Sequence, residues 1–407
     1  MPLSLSKKSS LIAQSEIRAM TLECARIGGI NLAQGVCDTE LPLPVGQGAK
    51  EAIDAGINSY TRYDGLKQLR YAIADKMKVY NGIDTDPESE IIVSAGSTGA
   101  FYCACLALLN PGDEVILFEP YYGYHINTIH AAEAVPTYVG LKAPDWTFSP
   151  EDLEKVVTPR TKGIMINTPA NPSGKVFTRT ELEWIAEFAN KHDLFVFTDE
   201  IYEYFLYDGR KHISPASLPG MAERTITISG YSKTFSITGW RIGYTVSHAK
   251  WAQMIGYLND LIYVCAPAPL QMGVAKGILE LKPEYYKELC DLFSKKRDDI
   301  CSTLSKVGLT PSIPQGAYYV LSDVTHLPGS TSKEKAMFIL EKTGVASVPD
   351  EAFFHKPGSS QFVRFCFAKE DNELVELVSA IGVFINAFCA TFSRTRSSQF
   401  QEGQPQL

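Results

Sequence analysis

Five short runs of β-branched and aromatic residues, at 91–94 (IIVS), 115–118 (VILF), 163–167 (GIMIN), 194–198 (LFVFT) and 225–229 (TITIS), alternate with segments of helical spacing such as 99–109 and 180–191. No other feature constrains the chain as much. Strands bounded on both sides by helices read as βαβ units, and such units build a mostly parallel sheet covered on both faces. The expected fold class is therefore α/β, with a three-layer α/β/α large domain. A helix-like segment at 16–26 and an extended piece at 30–34 come first. Residues 47–77 then have a helical pattern around a turn-rich insert at 58–65. Past a long charged helix at 282–307, the strand-rich stretches 316–323, 345–348 and 361–367 predict a smaller α+β domain. The divisions expected are 1–45, a segment joining the small domain; 46–285, the large domain; 286–392, the small domain; and 393–407, a disordered Ser/Gln/Arg-rich tail. A length of 407 residues suits two or three domains of roughly 150 residues each.

Charge and composition narrow the function. With 38 basic and 46 acidic residues the net charge is −8, and without a long basic run no nucleic-acid partner is expected. The apolar stretch at 381–392 is shorter than the roughly 20 residues of a membrane helix, and the N-terminus lacks the apolar core of a signal peptide. The nine cysteines are scattered, apart from Cys103 and Cys105, with no CxxC and no zinc spacing. Reduced cytosolic thiols and no metal site are expected. The chain reads as a soluble cytoplasmic enzyme without a membrane partner.

In open α/β sheets, ligands sit beyond the carboxyl ends of the strands, and the unusual residues of this chain cluster there. The first run leads into Gly96-Ser97-Thr98-Gly99, the second into Pro120-Tyr121-Tyr122, and the third into Pro169-Ala170-Asn171-Pro172-Ser173-Gly174. The fourth ends in Asp199-Glu200 with Tyr202 close behind, and the fifth in Gly230-Tyr231-Ser232-Lys233. Singly these are ordinary residues: a turn, a packing aromatic, a helix cap, a solvated charge. The glycine turn is neither a Walker A nor a GxGxxG loop. Together they meet the needs of one cofactor, pyridoxal 5'-phosphate. It requires a lysine for a Schiff base, a carboxylate for the pyridinium nitrogen, donors for the phenolic oxygen, an aromatic against the ring and an anion site with an arginine.

The block Ser232-Lys233-Thr234-Phe235-Ser236-Ile237-Thr238-Gly239-Trp240-Arg241-Ile242-Gly243 resembles the lysine signature of class I/II aminotransferases, the fold-type I pyridoxal-phosphate enzymes. Further blocks follow in the family's order: Tyr60 through Gly65 to Leu69-Arg70, Pro169 to Gly174, Asp199-Glu200-Ile201-Tyr202, Pro314-Gln315-Gly316-Ala317-Tyr318-Tyr319 and Val363-Arg364-Phe365. The similarity spans about 15–390. It implies that Lys233 forms the Schiff base and then moves the proton, and that Asp199 pairs the pyridinium nitrogen. Asn171 and Tyr202 are implied as partners of the phenolic oxygen, and Tyr122 as the residue stacked on the ring. Ser97, Thr98, Ser232 and Arg241 are implied to hold the phosphate. Tyr60 is implied to reach the phosphate of a neighbouring subunit, which means a homodimer with shared sites. Arg364 is implied to grip the substrate α-carboxylate as a fork, with the Gly35 backbone closing over it.

The activity implied is ping-pong transfer of an α-amino group between an amino acid and a 2-oxo acid. The run Asn31 to Gly35 resembles the branch of the family acting on glutamine, methionine and aromatic amino acids, so neutral or aromatic donors are favoured, with aspartate possible. No extra arginine for a distal carboxylate stands out. Tyr63, Tyr124, Phe353 and Phe354 are candidates for an apolar pocket or for core. The chain departs from the family's pattern at Gly230, at Asp350 and Glu351, and at Cys37, the last two places being expected near the substrate entrance. The same blocks also fit a carbon–sulfur β-lyase or an aminocyclopropane-carboxylate-synthase-like enzyme. A non-catalytic regulatory protein on this scaffold is the alternative of another class.

Overall fold

The computed structural model describes residues 3–12, 14–356 and 361–370. The end of the predicted small domain and the predicted tail, 371–407, lie outside them. In chain order the first elements are α1 (Glu16–Ile27), β1 (Ile30–Asn31), α2 (Leu43–Asp54) and α3 (Lys67–Lys76). The alternating region follows: β2 (Ile91–Ala95), α4 (Gly96–Leu108), β3 (Glu114–Glu119), α5 (Gly123–Ala131), β4 (Val135–Gly140), α6 (Pro150–Glu154), β5 (Thr161–Asn167), α7 (Arg179–Lys191), β6 (Phe195–Asp199), β7 (Thr225–Gly230) and β8 (Ile242–Val246). After it come α8 (Ala249–Tyr263), α9 (Ala268–Glu280), α10 (Pro283–Lys306), β9 (Thr310–Ser312), β10 (Tyr319–Asp323), α11 (Ser332–Thr343), β11 (Val345–Ala346), β12 (Val348–Pro349) and β13 (Phe362–Cys366).

Seven strands form one sheet in the order β2-β8-β7-β6-β5-β3-β4. Only β8 runs against its neighbours β2 and β7, so the five strands read from the sequence all point the same way and share a carboxyl edge. Alternate residues of these strands face opposite layers. Ile116, Phe118, Ile164, Ile166 and Val196 pack with Leu182 and Ile185 of α7. Val115, Leu117, Met165 and Phe197 pack with Phe101 of α4 and Ile255 of α8. Strands buried on both faces tend to be apolar throughout, as at 115–118 and 164–166, whereas β7 is buried along its whole length yet alternates Thr225, Thr227 and Ser229 with Ile226 and Ile228. Each such apolar side chain contributes about 1.5–3 kcal/mol by leaving water. Two layers of helix around one sheet make the three-layer α/β/α body. Local signals place its helices: Thr178 and Glu181 form a capping box at the start of α7, and Gly28 ends α1 in the left-handed region at φ 66°.

Two strands of this sheet went unread, as did β9 outside it. Edge strand β4 carries Pro136 and is only partly buried, so its pattern is weak, and an edge is where a strand tolerates proline. Strand β8 starts in the last two residues of the Ser232–Gly243 block and continues to Val246.

The remaining strands make a four-stranded antiparallel sheet, β12-β13-β10-β9, and a parallel pair, β1 with β11. Met20 and Cys24 of α1 share one apolar core with Phe293 and Ile300 of α10, Leu340 of α11 and Phe365 of β13. Among the described residues, no helix is long and apolar enough to cross a membrane.

Candidate active site

At the carboxyl edge of the sheet, a cavity of about 100 Å³ is lined by Ser97, Thr98, Tyr122, Asn171, Asp199, Tyr202, Ser232, Lys233 and Arg241. A groove of about 750 Å³ shares Thr98, Tyr122, Asn171, Lys233 and Arg241 with it and adds Gly35, Tyr319 and Arg364. Of the predicted site residues, only Tyr60 lines neither; its side chain stands 83% exposed on the surface.

Lys233 follows β7 on the connection toward β8, and its Nζ donates to the Gly35 carbonyl at 2.9 Å. Burial lowers its pKa to about 8, and the nearby Arg241 and Arg364 guanidinium groups push the same way. Asp199 closes β6. Its Oδ2 lies 2.9 Å from Nε2 of His125, and its Oδ1 accepts from the Ile201 amide at 3.2 Å. Asn171 is anchored through its amide, which donates to Asn167 Oδ1 at 2.7 Å. Its own Oδ1 accepts from Arg364 Nη1 at 2.9 Å. Arg364, on β13, is completely buried, with its guanidinium 4.4 Å above the Tyr319 ring and Nη2 donating to the Ala33 carbonyl. Its Nε has no hydrogen-bond partner among the described residues, and a buried donor left unsatisfied costs about 1–3 kcal/mol. The Tyr202 hydroxyl lies 2.8 Å from that of Tyr319, and burial holds the Tyr202 phenol well above its usual range.

The end of the cavity beside Arg241 is built largely from backbone. Gly96 opens α4 at φ +76°, and a Cβ there would come 2.2 Å from Nη2 of Arg241. The guanidinium is therefore laid against the loop whose Ser97 and Thr98 begin the helix. Helix N-terminal amides and a cation at one spot favour an anion. Ser232 faces this cavity, whereas the Ser229 hydroxyl is turned to Glu203 Oε1 at 3.2 Å.

A family model described as "Aminotransferase class I and II" matches residues 27–381. The chain belongs to this family. Kynurenine–oxoglutarate transaminase 3 of Rattus norvegicus is 36% identical over 376 residues, covering 85% of this chain and 82% of the relative. Aromatic-amino-acid aminotransferase 2 of Thermococcus litoralis is 34% identical, over 92% of this chain and 96% of its own. The solved structure of N-succinyldiaminopimelate aminotransferase from Mycobacterium tuberculosis superposes with a TM-score of 0.90 at 34% identity, covering 94% of this chain and 100% of that one. The molecule is an aminotransferase, a transferase of nitrogenous groups, with the fold-type I architecture.

Two residues of this aminotransferase's site were not read from the sequence. His125 lies three residues past Tyr122, one helical turn along α5, and this spacing puts both on one face; their rings meet edge to face at 5.3 Å. Tyr319 stands within the block 314–319, whose match to the family carries no role for it. None of the three departing side chains Cys37, Asp350 and Glu351 lines the cavity or the groove, although Cys37 directly follows Gly35 and Val36, which do. Asp350 is buried away from the groove, accepting from the Gln361 and Phe362 amides at 3.0 Å. Glu351 accepts from the Lys333 amide at 3.3 Å and from the Ser332 hydroxyl, at the start of α11. Cys37 is buried, with its thiol 3.2 Å from the Thr39 hydroxyl. Of the four aromatic candidates, Tyr124 lines the groove. Tyr63 and Phe354 pack against core, and Phe353 is buried under Arg364 at 5.2 Å.

Close to the site in sequence, Glu200, Glu203 and His212 bring their ligand atoms within 4.8 Å of one another. Lys76 Nζ occupies Glu203 at 2.5 Å and His212 Nε2 occupies Glu200 at 2.6 Å. These partners already compensate both buried carboxylates.

Proposed function

We propose that this aminotransferase holds pyridoxal 5'-phosphate in the cavity and moves an α-amino group between an amino acid and a 2-oxo acid by a ping-pong mechanism. The donor set fits the group. The Gly96–Thr98 turn, Ser232 and Arg241 supply an anion cradle for its phosphate. The Asp199 carboxylate, buried and steadied by His125, calls for a cationic partner such as the ring nitrogen. Asn171 and Tyr202 offer donors for the phenolic oxygen, Tyr122 a face for the ring, and Lys233 the amine that joins the aldehyde. When bound, the group supplies an electron-withdrawing ring that spreads the negative charge left at the substrate α-carbon.

The chain's own residues do the rest. Arg364 meets the substrate α-carboxylate as a fork, which supplies the acceptor its Nε lacks. The Gly35 carbonyl, bound to Lys233 Nζ at 2.9 Å, holds that amine at the junction of cavity and groove. With its pKa lowered to about 8, Nζ is neutral often enough near neutral pH to take the α-proton and return it. The buried rings of Tyr202 and Tyr319 and the half-buried ring of Tyr122 restrict water. The observation that carries the reading is the meeting of a basic amine, a buried carboxylate and an unsatisfied buried guanidinium around one opening. Tyr122, Tyr124 and Tyr319 on the groove favour neutral or aromatic donors, with aspartate possible. The relatives named for kynurenine and aromatic amino acids support the same choice. Exposed Tyr60 serves the site of a second copy in a cytoplasmic homodimer.

Lys233→Ala tests the assignment. The variant should fold and bind the cofactor non-covalently, leave nothing attached after borohydride reduction, and lose roughly 10²–10⁴-fold in transfer. Near-normal turnover would overturn it. Release of ammonia and pyruvate in place of a new amino acid would point to elimination.

A further inference from the structure

Among the described residues, the groove that leads to Lys233 is lined by four cationic side chains, Arg18, Lys233, Arg241 and Arg364, and by no aspartate or glutamate. This is a local excess of positive charge in a chain whose net charge is −8. Three of the four have work in the function proposed above. The fourth, Arg18, does not.

Arg18 lies in the first turn of α1. The helix buries Met20 and Cys24, while Arg18, Thr21 and Leu22 turn toward the groove, as their spacing of three and four residues requires. Its side chain forms no ion pair among the described residues. The acid beside it in sequence, Glu16, is engaged with Lys333 at 3.1 Å. An exposed arginine on an open surface is ordinarily a solvated charge. On the wall of a groove whose described lining holds no acid, it is a guanidinium fork available to a ligand anion, in the geometry that suits a carboxylate. The α-carboxylate is already taken by Arg364, so Arg18 is left for a second one.

We propose that Arg18 is a specificity-determining residue that receives the distal carboxylate of a dicarboxylic 2-oxo acid. This reconciles an apolar, aromatic-walled site with acidic co-substrates: the aromatic donor uses the tyrosine walls, and the dicarboxylic acceptor uses the cation at the mouth. The inference rests on the aminotransferase reading for Lys233 and Arg364.

The test compares Arg18→Gln and Arg18→Lys with the parent holoenzyme, using one aromatic donor and two acceptors, 2-oxoglutarate and 2-oxohexanoate. The second acceptor has a similar length and lacks the distal charge. With Arg18→Gln, kcat/KM for 2-oxoglutarate should fall roughly 10- to 100-fold, the range expected for losing a charge-assisted hydrogen bond. The loss should appear in KM, with kcat and the melting temperature little changed. Turnover of 2-oxohexanoate should stay within about twofold, and Arg18→Lys should recover part of the loss. Equal effects on both acceptors, or none on either, overturn the proposal. A calorimetric titration with glutarate separates this inference from the reading beneath it. Binding by the parent and not by Arg18→Gln supports the distal site even if the parent transfers no amino group, which would itself sink the functional reading. Equal glutarate affinity in both proteins overturns the role of Arg18.

Discussion

At the level of single residues, the amine of Lys233 carries the clearest physical signature. Its ammonium form loses hydration on entering the cavity and receives one carbonyl, that of Gly35, in return. Two arginines add repulsion, so the pKa falls from the ordinary 10.5 to about 8. Between these values the unfolded chain binds a proton that the folded chain does not, and stability rises with pH wherever the unfolded state binds more protons. Below pH 8 both states are charged and the burial penalty is constant. The cofactor-free protein should therefore gain stability from pH 8 toward 10.5 relative to Lys233→Met, which carries no titrating amine. Urea unfolding of both proteins at several pH values measures the difference. A difference that is flat or falls with pH would contradict the burial argument. Neighbouring residues show why type alone is a poor guide: Ser229 in β7 and Ser232 just past it are three apart, yet one faces Glu203 and the other the cavity.

The elements explain how the anion cradle is held. Strand β8 lies between β2 and β7, and its Gly243 sits so close to the loop entering α4 that a Cβ would come 2.3 Å from Gly96 C and Ser97 N. Only glycine admits that approach. Gly243→Ala must push the loop and its amides away from Arg241, and we expect a loss of about 1–3 kcal/mol in stability together with weaker pyridoxal-phosphate binding. Gly239 is the control, because a Cβ there meets nothing within 4 Å and its alanine variant should behave as the parent. Thermal melts and absorbance titrations with the cofactor read both effects. An unchanged affinity in Gly243→Ala would show that the close packing of β8 does not set the cradle.

On the scale of the whole molecule, the proposed sharing of sites between subunits makes a quantitative statement. If Tyr60 of one chain completes the site of the other, mixing inactive Tyr60→Ala and Lys233→Ala chains yields hybrid dimers with one intact site. Random exchange then restores about one quarter of parental activity, whereas a site completed within one chain restores none. The alternating strands and the residues at their ends were legible in the sequence because each signal is local. A strand buried on both faces is a short run of β-branched or aromatic residues, and the charged residue beyond it stands out, as with Asp199 after 194–198 and Lys233 after 225–229. The family's ordered blocks carried Arg241 and Arg364 in the same way. His125 beside Asp199, 74 positions away, and Gly35 under Lys233, 198 positions away, meet only by packing. The inward-facing Asp350 and the groove-facing Arg18 were likewise decided by which side of an element the fold turned to substrate. Sequence alone determined the chemistry and the layered body, since both are written in short stretches of chain. Tertiary structure alone decided the partners of each charge and the shape of the opening, since these depend on contacts between segments that no local pattern links.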